Sequence, residues 1–501
     1  MAEISSTCPI APARKASSFA SDVLKVAFGA SSSQLFGILA APVLTRMYAP
    51  EAFGLMAVCT SLAAVAGVMA GLRYEQAILL PERDEDGINV LALSLLITAG
   101  FSGALGLLLL FCRGPILRLF GAAKLGGYVW FIPASVLVSG FYQSIVMWNA
   151  RQRDFGVVSG SRALASGLSN TCQLSFGFVK WTTAGSLIGG AFAGNSVGLA
   201  MAAVNAWRRS RQLLLESVRW VKVRWALKRY SEFPLYNSWG ILLNTLSWQL
   251  PALLLARYFG SASAGYFSIG MRVLSVPMDV IAVSIGQVFF QRAAEARSAG
   301  NLPEVVEAAL QRLIAFGIFP VVMMSLVAPD LFAIVFGNQW RPAGAYVQIL
   351  AAWICVWFIS SPLTVLVAVL EEQKFYLWMN CLILSSRWAS IGAGAYLHRV
   401  HAALVFYSVS GVLVYGYQGF VLVLKAGASV TKVASLLGRY AWPAGPAAAI
   451  ILAARRAGAS SIALTSLAGL LTVAYIGLTA FLDPAIWSLL SARAARLSTG
   501  A

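Results

Sequence analysis

The segment INVLALSLLITAGFSGALGLLLLFC, residues 88–112, contains no Asp, Glu, Lys or Arg. Further uncharged stretches of similar length lie at 125–150, 181–207, 400–424 and 461–482. About twenty apolar residues in an α-helix cross the roughly 30 Å hydrocarbon core of a bilayer. Because lipid offers the backbone no hydrogen-bonding partner, each stretch must be helical. The sequence therefore predicts an all-α integral membrane protein that crosses the bilayer many times.

Composition argues against other classes of protein. Apolar residues make up 59% of the chain and charged residues 11%, whereas about one quarter of a soluble domain is charged. The net charge of +18 would suggest a nucleic-acid partner for a soluble protein. Here the cationic residues lie mainly in loops between apolar stretches, so no nucleic-acid partner is expected. Six scattered Cys and two His predict neither a disulfide framework nor a metal site, and no cofactor is expected.

Hydropathy and turn residues predict fourteen helices, and a twelve-helix core remains the alternative because the thirteenth is short. They lie near residues 22–45, 52–71, 88–111, 127–148, 155–178, 182–206, 233–256, 264–290, 309–336, 343–369, 375–397, 400–424, 441–454 and 461–482. If the N-terminus is cytoplasmic, the loops on that side collect most of the 37 Lys and Arg. Cationic loops stay on the cytoplasmic side, so both termini are expected there.

A short motif occurs once in each half of the chain. Residues 44–48 (LTRMY) precede Gly54, and residues 255–259 (LARYF) precede Gly265. Arg46 and Arg257 each stand eight residues before the glycine. The loops 151–155 (RQRDF) and 371–375 (EEQKF) correspond at a similar offset. Two matches at nearly one offset indicate a duplicated six-helix unit.

Six helices return the chain to its starting side of the membrane, so the two halves are expected to be parallel repeats about an axis along the membrane normal. This arrangement is common among carriers that work by alternating access. The predicted divisions are an N-terminal tail (1–21), a first six-helix bundle (22–206), a basic cytoplasmic linker (207–232), a second six-helix bundle (233–424) and a C-terminal region with two extra helices (425–501). The tail is rich in Ser, Ala and Pro and lacks the apolar core of a signal peptide.

Charged residues inside apolar stretches are the candidates for a transport pathway. A charge at the bilayer centre costs about 2.5–3.5 kcal/mol, so it usually faces water or a partner. The candidates for lining a cavity are Arg162, Arg272, Asp279 and Arg387. Arg272 and Asp279 are seven residues apart and share one helix face. Three Arg to one Asp predict a cationic cavity that attracts anions, while a charge pair that fixes helix packing is the alternative.

Other polar positions have two interpretations each. Arg73, Tyr74 and Glu75 end the second helix beside an acidic loop and are expected at the cytoplasmic rim rather than at a deep site. Polar residues inside the helices can bind sugar hydroxyls or make helix–helix hydrogen bonds: Gln34, Asn149, Asn170, Gln173, Asn195, Asn237, Asn244, Gln249 and Asn380. The linker interleaves basic and apolar residues, which is typical of an amphipathic helix on anionic headgroups or of a loop held in the cytoplasm by its charge.

The run LTRMYAPEAFG, residues 44–54, resembles the "LTR-x-Y-x-PE-x-FG" pattern of the bacterial oligosaccharide flippases of the polysaccharide transporter family. This family belongs to the multidrug/oligosaccharidyl-lipid/polysaccharide exporter superfamily. The similarity continues through residues 72–75 and 77–81 and recurs weakly at 272–277. The residues that carry this fold marker are Arg46, Tyr48, Pro50 and Gly54, with Arg257 and Gly265 in the second half.

The resemblance implies two six-helix bundles in a V shape in a bacterial inner membrane, with optional C-terminal helices. It also implies movement of an undecaprenyl-diphosphate-linked oligosaccharide from the cytoplasmic to the periplasmic leaflet. Membrane lipids, a polymerase and a chain-length partner of a polysaccharide pathway are the implied partners. Exchange against protons is proposed for relatives, and Asp279 or Glu75 would be the carboxylates to test.

Three functions are compatible with a polytopic membrane protein of this kind. The leading hypothesis is a lipid-linked oligosaccharide flippase, which needs no covalent chemistry and is not an enzyme. A drug/cation antiporter of the same superfamily is the alternative, but it would favour an acidic cavity. A membrane glycosyltransferase, polymerase or ligase would need a sizeable extramembrane segment, whereas the expected outer loops are short, the longest being about 113–126.

Overall fold

The computed structural model describes residues 19–121, 123–234, 238–277 and 283–482, and this part of the chain is almost entirely helical, with no β-strand in the described residues. Its α-helices are α1 (Phe19–Met47), α2 (Pro50–Ala70), α3 (Tyr74–Ala77), α4 (Asp84–Leu119), α5 (Phe131–Arg151), α6 (Phe155–Phe178), α7 (Ala184–Ser217), α8 (Trp220–Arg229), α9 (Ser238–Phe259), α10 (Ser261–Pro277), α11 (Val283–Ala299), α12 (Leu302–Phe336), α13 (Arg341–Ser360), α14 (Val365–Val369), α15 (Gln373–Tyr396), α16 (Val400–Lys425), α17 (Val430–Ala441), α18 (Ala444–Arg456) and α19 (Ser461–Leu482).

The predicted all-α membrane fold is confirmed. Within the described ranges, nine helical stretches are long and apolar enough to cross a membrane, and the protein is a multi-pass membrane protein. The described parts of the predicted eighth helix are α10 and α11, and residues 278–282 between them lie outside the described residues. α18, the predicted thirteenth, has 13 residues. It is therefore about 20 Å long, which is shorter than the roughly 30 Å hydrocarbon core.

The two halves of the chain meet at the end of the bundle where α1 ends and α2 begins, which we term the motif end. The guanidinium of Arg46 donates to the carbonyl oxygen of Ile334 at 2.9 Å. The indole nitrogen of Trp340 and the side-chain amide of Gln339 both donate to the carbonyl oxygen of Thr45, each at 2.7 Å. These bonds connect α1 of the first half to the junction of α12 and α13 in the second.

The basic linker lies against the first half at the opposite end of the bundle. α7 continues beyond the predicted boundary at 206 to Ser217, and α8 then packs on α4. The ammonium of Lys222 contacts Asp86 at 3.1 Å and Glu85 at 3.4 Å. The hydrogen bond to Asp86 raises the pKa of Lys222. Asn89 bonds to the backbone of the linker at 2.9 Å and 3.0 Å, so the linker is attached to α4 by backbone as well as side-chain contacts.

One buried carboxylate connects the C-terminal helices to the second half, in addition to their apolar packing on α12. Asp330 in α12 accepts from Arg341 of α13 at 2.8 Å, from Arg455 of α18 at 2.7 Å and from the hydroxyl of Ser461 in α19 at 3.0 Å. Its side chain is 6% exposed. A buried carboxylate needs several donors to offset its lost hydration. Asp330 therefore ties α18 and α19 to the second half.

Candidate functional site

A cavity of about 360 Å³ lies among helices of the first half and reaches one helix of the second. Its lining residues are Ser33, Met56, Val138, Ser139, Tyr142, Arg162, Ala165, Ser166, Ser169, Asn170, Gln173, Asn195 and Arg272. All of them except Arg272 come from residues 22–206. We term this space the arginine cavity, after Arg162 and Arg272.

Arg162 and Arg272 approach the arginine cavity from different halves. Arg162 projects from α6, and Arg272 projects from α10 towards α1. A Cβ on Gly37 would lie 2.3 Å from Nη2 of Arg272, so the glycine leaves room for the guanidinium. Both arginines are exposed. Among the described residues no carboxylate lies within 4.0 Å of either, so this cavity is cationic.

The wall of the arginine cavity is held by hydrogen bonds between helices. The hydroxyls of Tyr142 and Ser161 lie 3.1 Å apart, and Ser166 donates to the carbonyl oxygen of Ser33 at 2.9 Å. Gln173 donates to the carbonyl oxygen of Leu187 at 2.9 Å. These bonds fix α5, α6, α7 and α1 around the space, so the arginines face a wall of defined shape.

A second cavity of about 380 Å³ adjoins the first and shares Ser139 and Asn195 with it. Its lining residues are Cys59, Thr60, Ala63, Ala64, Gly67, Val68, Gly71, Arg73, Glu75, Ser135, Ser139, Gly140, Gln143, Ile188, Ala191, Phe192 and Asn195. We term it the amide cavity, after Gln143 and Asn195. Every residue that lines it belongs to the first half.

Arg73 and Glu75 lie in the wall of the amide cavity. The chain leaves α2 through Leu72 and Arg73 with φ of 45° and 65°, a left-handed conformation that non-glycine residues rarely adopt. This turn directs the Glu75 side chain inward, where it is 9% exposed. Nη1 of Arg73 lies 3.3 Å from Oε1 of Glu75. Oε2 of Glu75 and Nε of Arg73 are buried without a hydrogen-bond partner among the described residues.

Tyr74 contacts the linker rather than the cavity. Its hydroxyl donates to the carbonyl oxygen of Leu227 in α8 at 2.9 Å, and the residue is 2% exposed. Adjacent side chains in the segment 73–75 therefore serve two different surfaces, because successive residues of a tight turn point in different directions.

Arg387, a cavity candidate from the sequence, lines neither of these two cavities. It is 3% exposed and lies over the rings of Trp248, Trp353, Tyr407 and Tyr415, with the nearest centroid, that of Trp248, 4.7 Å away. It donates to the hydroxyl oxygen of Tyr415 at 3.0 Å and to the carbonyl oxygen of Ser247. Aromatic faces and a carbonyl oxygen stabilise the buried cation in the absence of a carboxylate partner among the described residues.

The remaining predicted site residues, apart from Asp279, have positions outside the two cavities. Asp279 falls outside the described residues. Tyr48 donates to the carbonyl oxygen of Gln173 at 2.8 Å, and Pro50 is the first residue of α2. Arg257 is exposed and lies over the ring of Tyr258, and among the described residues it does not repeat the inter-half bond of Arg46.

Sequence reasoning missed Gln143 as a cavity residue. Ser135, Ser139 and Gln143 recur every four residues and therefore share one face of α5. That spacing is the signal that would have found it. No group of three His, Cys, Asp or Glu side chains that could hold a metal ion occurs in the described ranges.

The chain is similar to solved structures of transport proteins rather than enzymes. It matches "Lipid II flippase MurJ, inward closed conformation" with a TM-score of 0.71 and 11% identity, over 91% of this chain and 99% of the other. It matches the inward-facing conformation of a multidrug resistance MATE family transporter of the MOP superfamily with a TM-score of 0.61 and 16% identity, over 79% and 94%. The outward-facing conformation of such a transporter gives 0.52 and 17%, over 83% and 96%. These likenesses establish the fold.

No curated protein matches the chain. A family model described as "Polysaccharide biosynthesis protein" matches residues 43–345, which is more than half of the chain. The matched range includes both glycine motifs, the linker, the amide cavity and every lining residue of the arginine cavity except Ser33. The chain is therefore a member of this polysaccharide biosynthesis protein family.

Proposed function

We propose that the protein is a lipid-linked oligosaccharide flippase. It would move an undecaprenyl-diphosphate-linked repeat unit from the cytoplasmic to the periplasmic leaflet by alternating access, for exopolysaccharide or O-antigen assembly. Membership of a polysaccharide biosynthesis family and a fold shared with a lipid II flippase support this proposal.

The observation that carries the proposal is the arrangement of Arg162 and Arg272. They come from different halves of the chain and line one cavity, without a carboxylate partner among the described residues. A diphosphate offers oxygen acceptors to both, and a charge-assisted hydrogen bond contributes about 1.5–3 kcal/mol. The affinity for an anion held by both halves would change when the halves move relative to each other, and a carrier requires such a change in affinity.

The prenyl tail needs no site in the cavity, because it remains in lipid while the head group moves. Flipping then breaks no covalent bond, and the side chains only replace the hydration of the head group. We further propose the bacterial inner membrane as the location, with both termini in the cytoplasm. A polymerase and a chain-length protein of the same pathway would use the product on the periplasmic side.

The test is a flipping assay in proteoliposomes with a fluorescent prenyl-diphosphate oligosaccharide. A membrane-impermeant quencher reports the fraction of probe in the outer leaflet. Wild-type protein should accelerate the exchange of probe between leaflets, while Arg162→Glu and Arg272→Glu should abolish the acceleration. Arg292→Glu is the matched control, because Arg292 is exposed on α11 and lines neither cavity.

Each outcome has a distinct meaning. If correctly inserted wild-type protein does not accelerate the exchange of probe between leaflets, the flippase proposal is contradicted. Wild-type rates in both cavity variants contradict the role of the cationic cavity. Equal loss in Arg292→Glu would show that the effect follows net charge rather than the cavity.

A drug/cation antiporter is the second candidate, and Glu75 is the observation that favours it. Glu75 is the one acidic side chain among the described residues that line the two cavities. Arg73 lies 3.3 Å from it and offsets its charge, which weakens this candidate. Efflux of a lipophilic cation that depends on Glu75 would favour the antiporter over the flippase.

A further inference from the structure

The two cavities adjoin but differ in charge. The arginine cavity holds two cationic side chains and no carboxylate among its described lining residues. The amide cavity holds one Arg and one Glu, which form an ion pair at 3.3 Å. The arginine cavity therefore favours an anionic group and the amide cavity an uncharged group. The low dielectric of the cavity walls strengthens this electrostatic preference.

The amide cavity carries the donors and acceptors that hydroxyl-rich molecules need. The side chains of Gln143 and Asn195 are exposed and make no hydrogen bond to a described residue. Each primary amide offers two donors and one acceptor oxygen. The hydroxyls of Thr60 and Ser139 donate to their own helices at 2.9 Å and 3.2 Å, which leaves their oxygens able to accept. The ring of Phe192 adds an apolar face to this wall.

The size and composition of this space suit one part of a larger head group. About 380 Å³ lies within the range of small-molecule sites, roughly 300–1,000 Å³. Such sites combine an apolar wall with a few polar groups that fix orientation. Ser139 and Asn195 line both cavities, so the two spaces are next to each other. Two linked parts of one ligand would need neighbouring spaces of this kind.

Glu75 decides the charge of the amide cavity. The left-handed turn at Leu72 and Arg73 brings both charged side chains into the same wall. Without the carboxylate, Arg73 would make this cavity cationic like its neighbour. Nε of Arg73 and Oε2 of Glu75 are each buried without a partner among the described residues, so the remaining hydrogen-bonding capacity of this pair is unused.

We propose that the amide cavity is the sugar subsite and accepts uncharged sugar residues, while the diphosphate lies between Arg162 and Arg272. Gln143 binds sugar hydroxyl or acetamido groups, and Glu75 determines specificity by neutralising Arg73. This subsite rests on the proposed flippase function and assigns the sugar end of the same substrate.

The experiment measures binding of three probes to the full chain in lipid nanodiscs. The probes are a prenyl diphosphate, the same lipid carrying N-acetylglucosamine, and the same lipid carrying glucuronic acid. Wild-type protein should bind the N-acetylglucosamine probe more tightly than the other two. Gln143→Leu should weaken binding of the N-acetylglucosamine probe about fivefold, which is the effect of losing one hydrogen bond. Binding of the bare prenyl diphosphate should not change. Gln291→Leu, at an exposed amide on α11, is the control.

Charge variants test the specificity role. Glu75→Gln leaves Arg73 unpaired and should improve binding of the glucuronic acid probe on the order of tenfold relative to the N-acetylglucosamine probe. Arg73→Gln leaves Glu75 unpaired and should weaken binding of the glucuronic acid probe. The second variant keeps the test decisive if the first does not fold.

The failures are distinguishable. If sugar-bearing probes bind no more tightly than the bare diphosphate, while Arg272→Ala weakens all three, the subsite is wrong and the flippase proposal stands. If the bare diphosphate does not bind, or binds equally to Arg272→Ala, the diphosphate site of the proposed function fails. Unchanged discrimination between neutral and acidic sugars in both charge variants removes the role of Glu75.

Discussion

Gly54 of α2 and Gly265 of α10 lie in direct backbone contact. A Cβ on Gly54 would be 3.0 Å from the backbone nitrogen of Gly265, and a Cβ on Gly265 would be 3.1 Å from that of Gly54. The same Cβ atoms would meet the carbonyl oxygens of Ser261 at 1.7 Å and Pro50 at 2.1 Å, each four residues before the opposing glycine. The contact is reciprocal, as two repeats about a common axis require.

Substitution of either glycine should prevent this close approach. Gly54→Ala and Gly265→Ala each place a methyl group against backbone, which cannot move aside as a flexible side chain can. We expect a loss of roughly 1–3 kcal/mol of stability in the conformation joined at the motif end. Spin labels at the exposed positions Ala49 and Asn338 should report a longer and broader distance distribution.

The control for the glycine variants is Gly103→Ala in α4. A Cβ at Gly103 has nothing within 4 Å, so this substitution should leave the distance distribution unchanged. An unaltered distribution in both Gly54→Ala and Gly265→Ala would contradict the view that these glycines permit closure at the motif end.

Arg387 should contribute to stability rather than to substrate binding. Arg387→Leu removes the cation from its aromatic surroundings and leaves the buried hydroxyl of Tyr415 without this donor. We expect destabilisation of about 2–4 kcal/mol, measured as a lower Tm in detergent. Flipping per folded molecule should stay near the wild-type rate, because Arg387 lines neither cavity.

Arg257→Leu is the comparison for Arg387, since Arg257 is exposed and its cation lies over the neighbouring ring of Tyr258. Its Tm should change little. A transport defect in Arg387→Leu that exceeds the loss of folded protein would place Arg387 on the transport pathway after all.

Asp330→Asn should loosen the C-terminal helices. The variant loses the charge that pairs with Arg341 and Arg455, and it leaves two cations near a partly buried amide. We expect about 1–3 kcal/mol of destabilisation, concentrated in the docking of α18 and α19. Limited proteolysis at the loop 457–460 measures it as faster cleavage.

Glu371→Gln provides the control for Asp330→Asn. Its ion pair with Arg297 is exposed at both partners, and exposed pairs contribute roughly 0–1 kcal/mol. Equal cleavage rates in the two variants would show that Asp330 does not hold the C-terminal helices.

Tyr74→Phe should weaken the attachment of the linker to the first half. The variant removes the hydrogen bond to the carbonyl oxygen of Leu227, worth about 1 kcal/mol, and leaves the ring in place. Amide hydrogen exchange in α8 should accelerate about fivefold. Tyr258→Phe, at an exposed ring, should leave that exchange unchanged. Protection of α8 that survives Tyr74→Phe would assign the attachment to its other contacts, which include Lys222, Asn89 and the apolar packing of Val223 and Ala226.

The sequence by itself determined the membrane class and the repeat. Uncharged stretches such as 88–112 can only be helices in lipid, and this inference needs no knowledge of which helices touch. The equal spacing of Arg46 to Gly54 and of Arg257 to Gly265 predicted the duplication, because a repeat is a one-dimensional property. That both glycines lie at the contact between the halves was not visible from spacing.

Tertiary structure decided what each charged residue faces. Arg162, Arg272 and Arg387 look alike in sequence, each a cation inside an apolar helix, yet two line a cavity and the third lies among aromatic rings. Likewise, the left-handed turn at Leu72 and Arg73 places Glu75 in the wall of the amide cavity, which hydropathy does not show. Hydropathy measures only the free-energy cost of placing a charge in lipid. The water-filled cavity or aromatic ring that offsets this cost is formed by helices that are distant in the chain, so hydropathy cannot identify it.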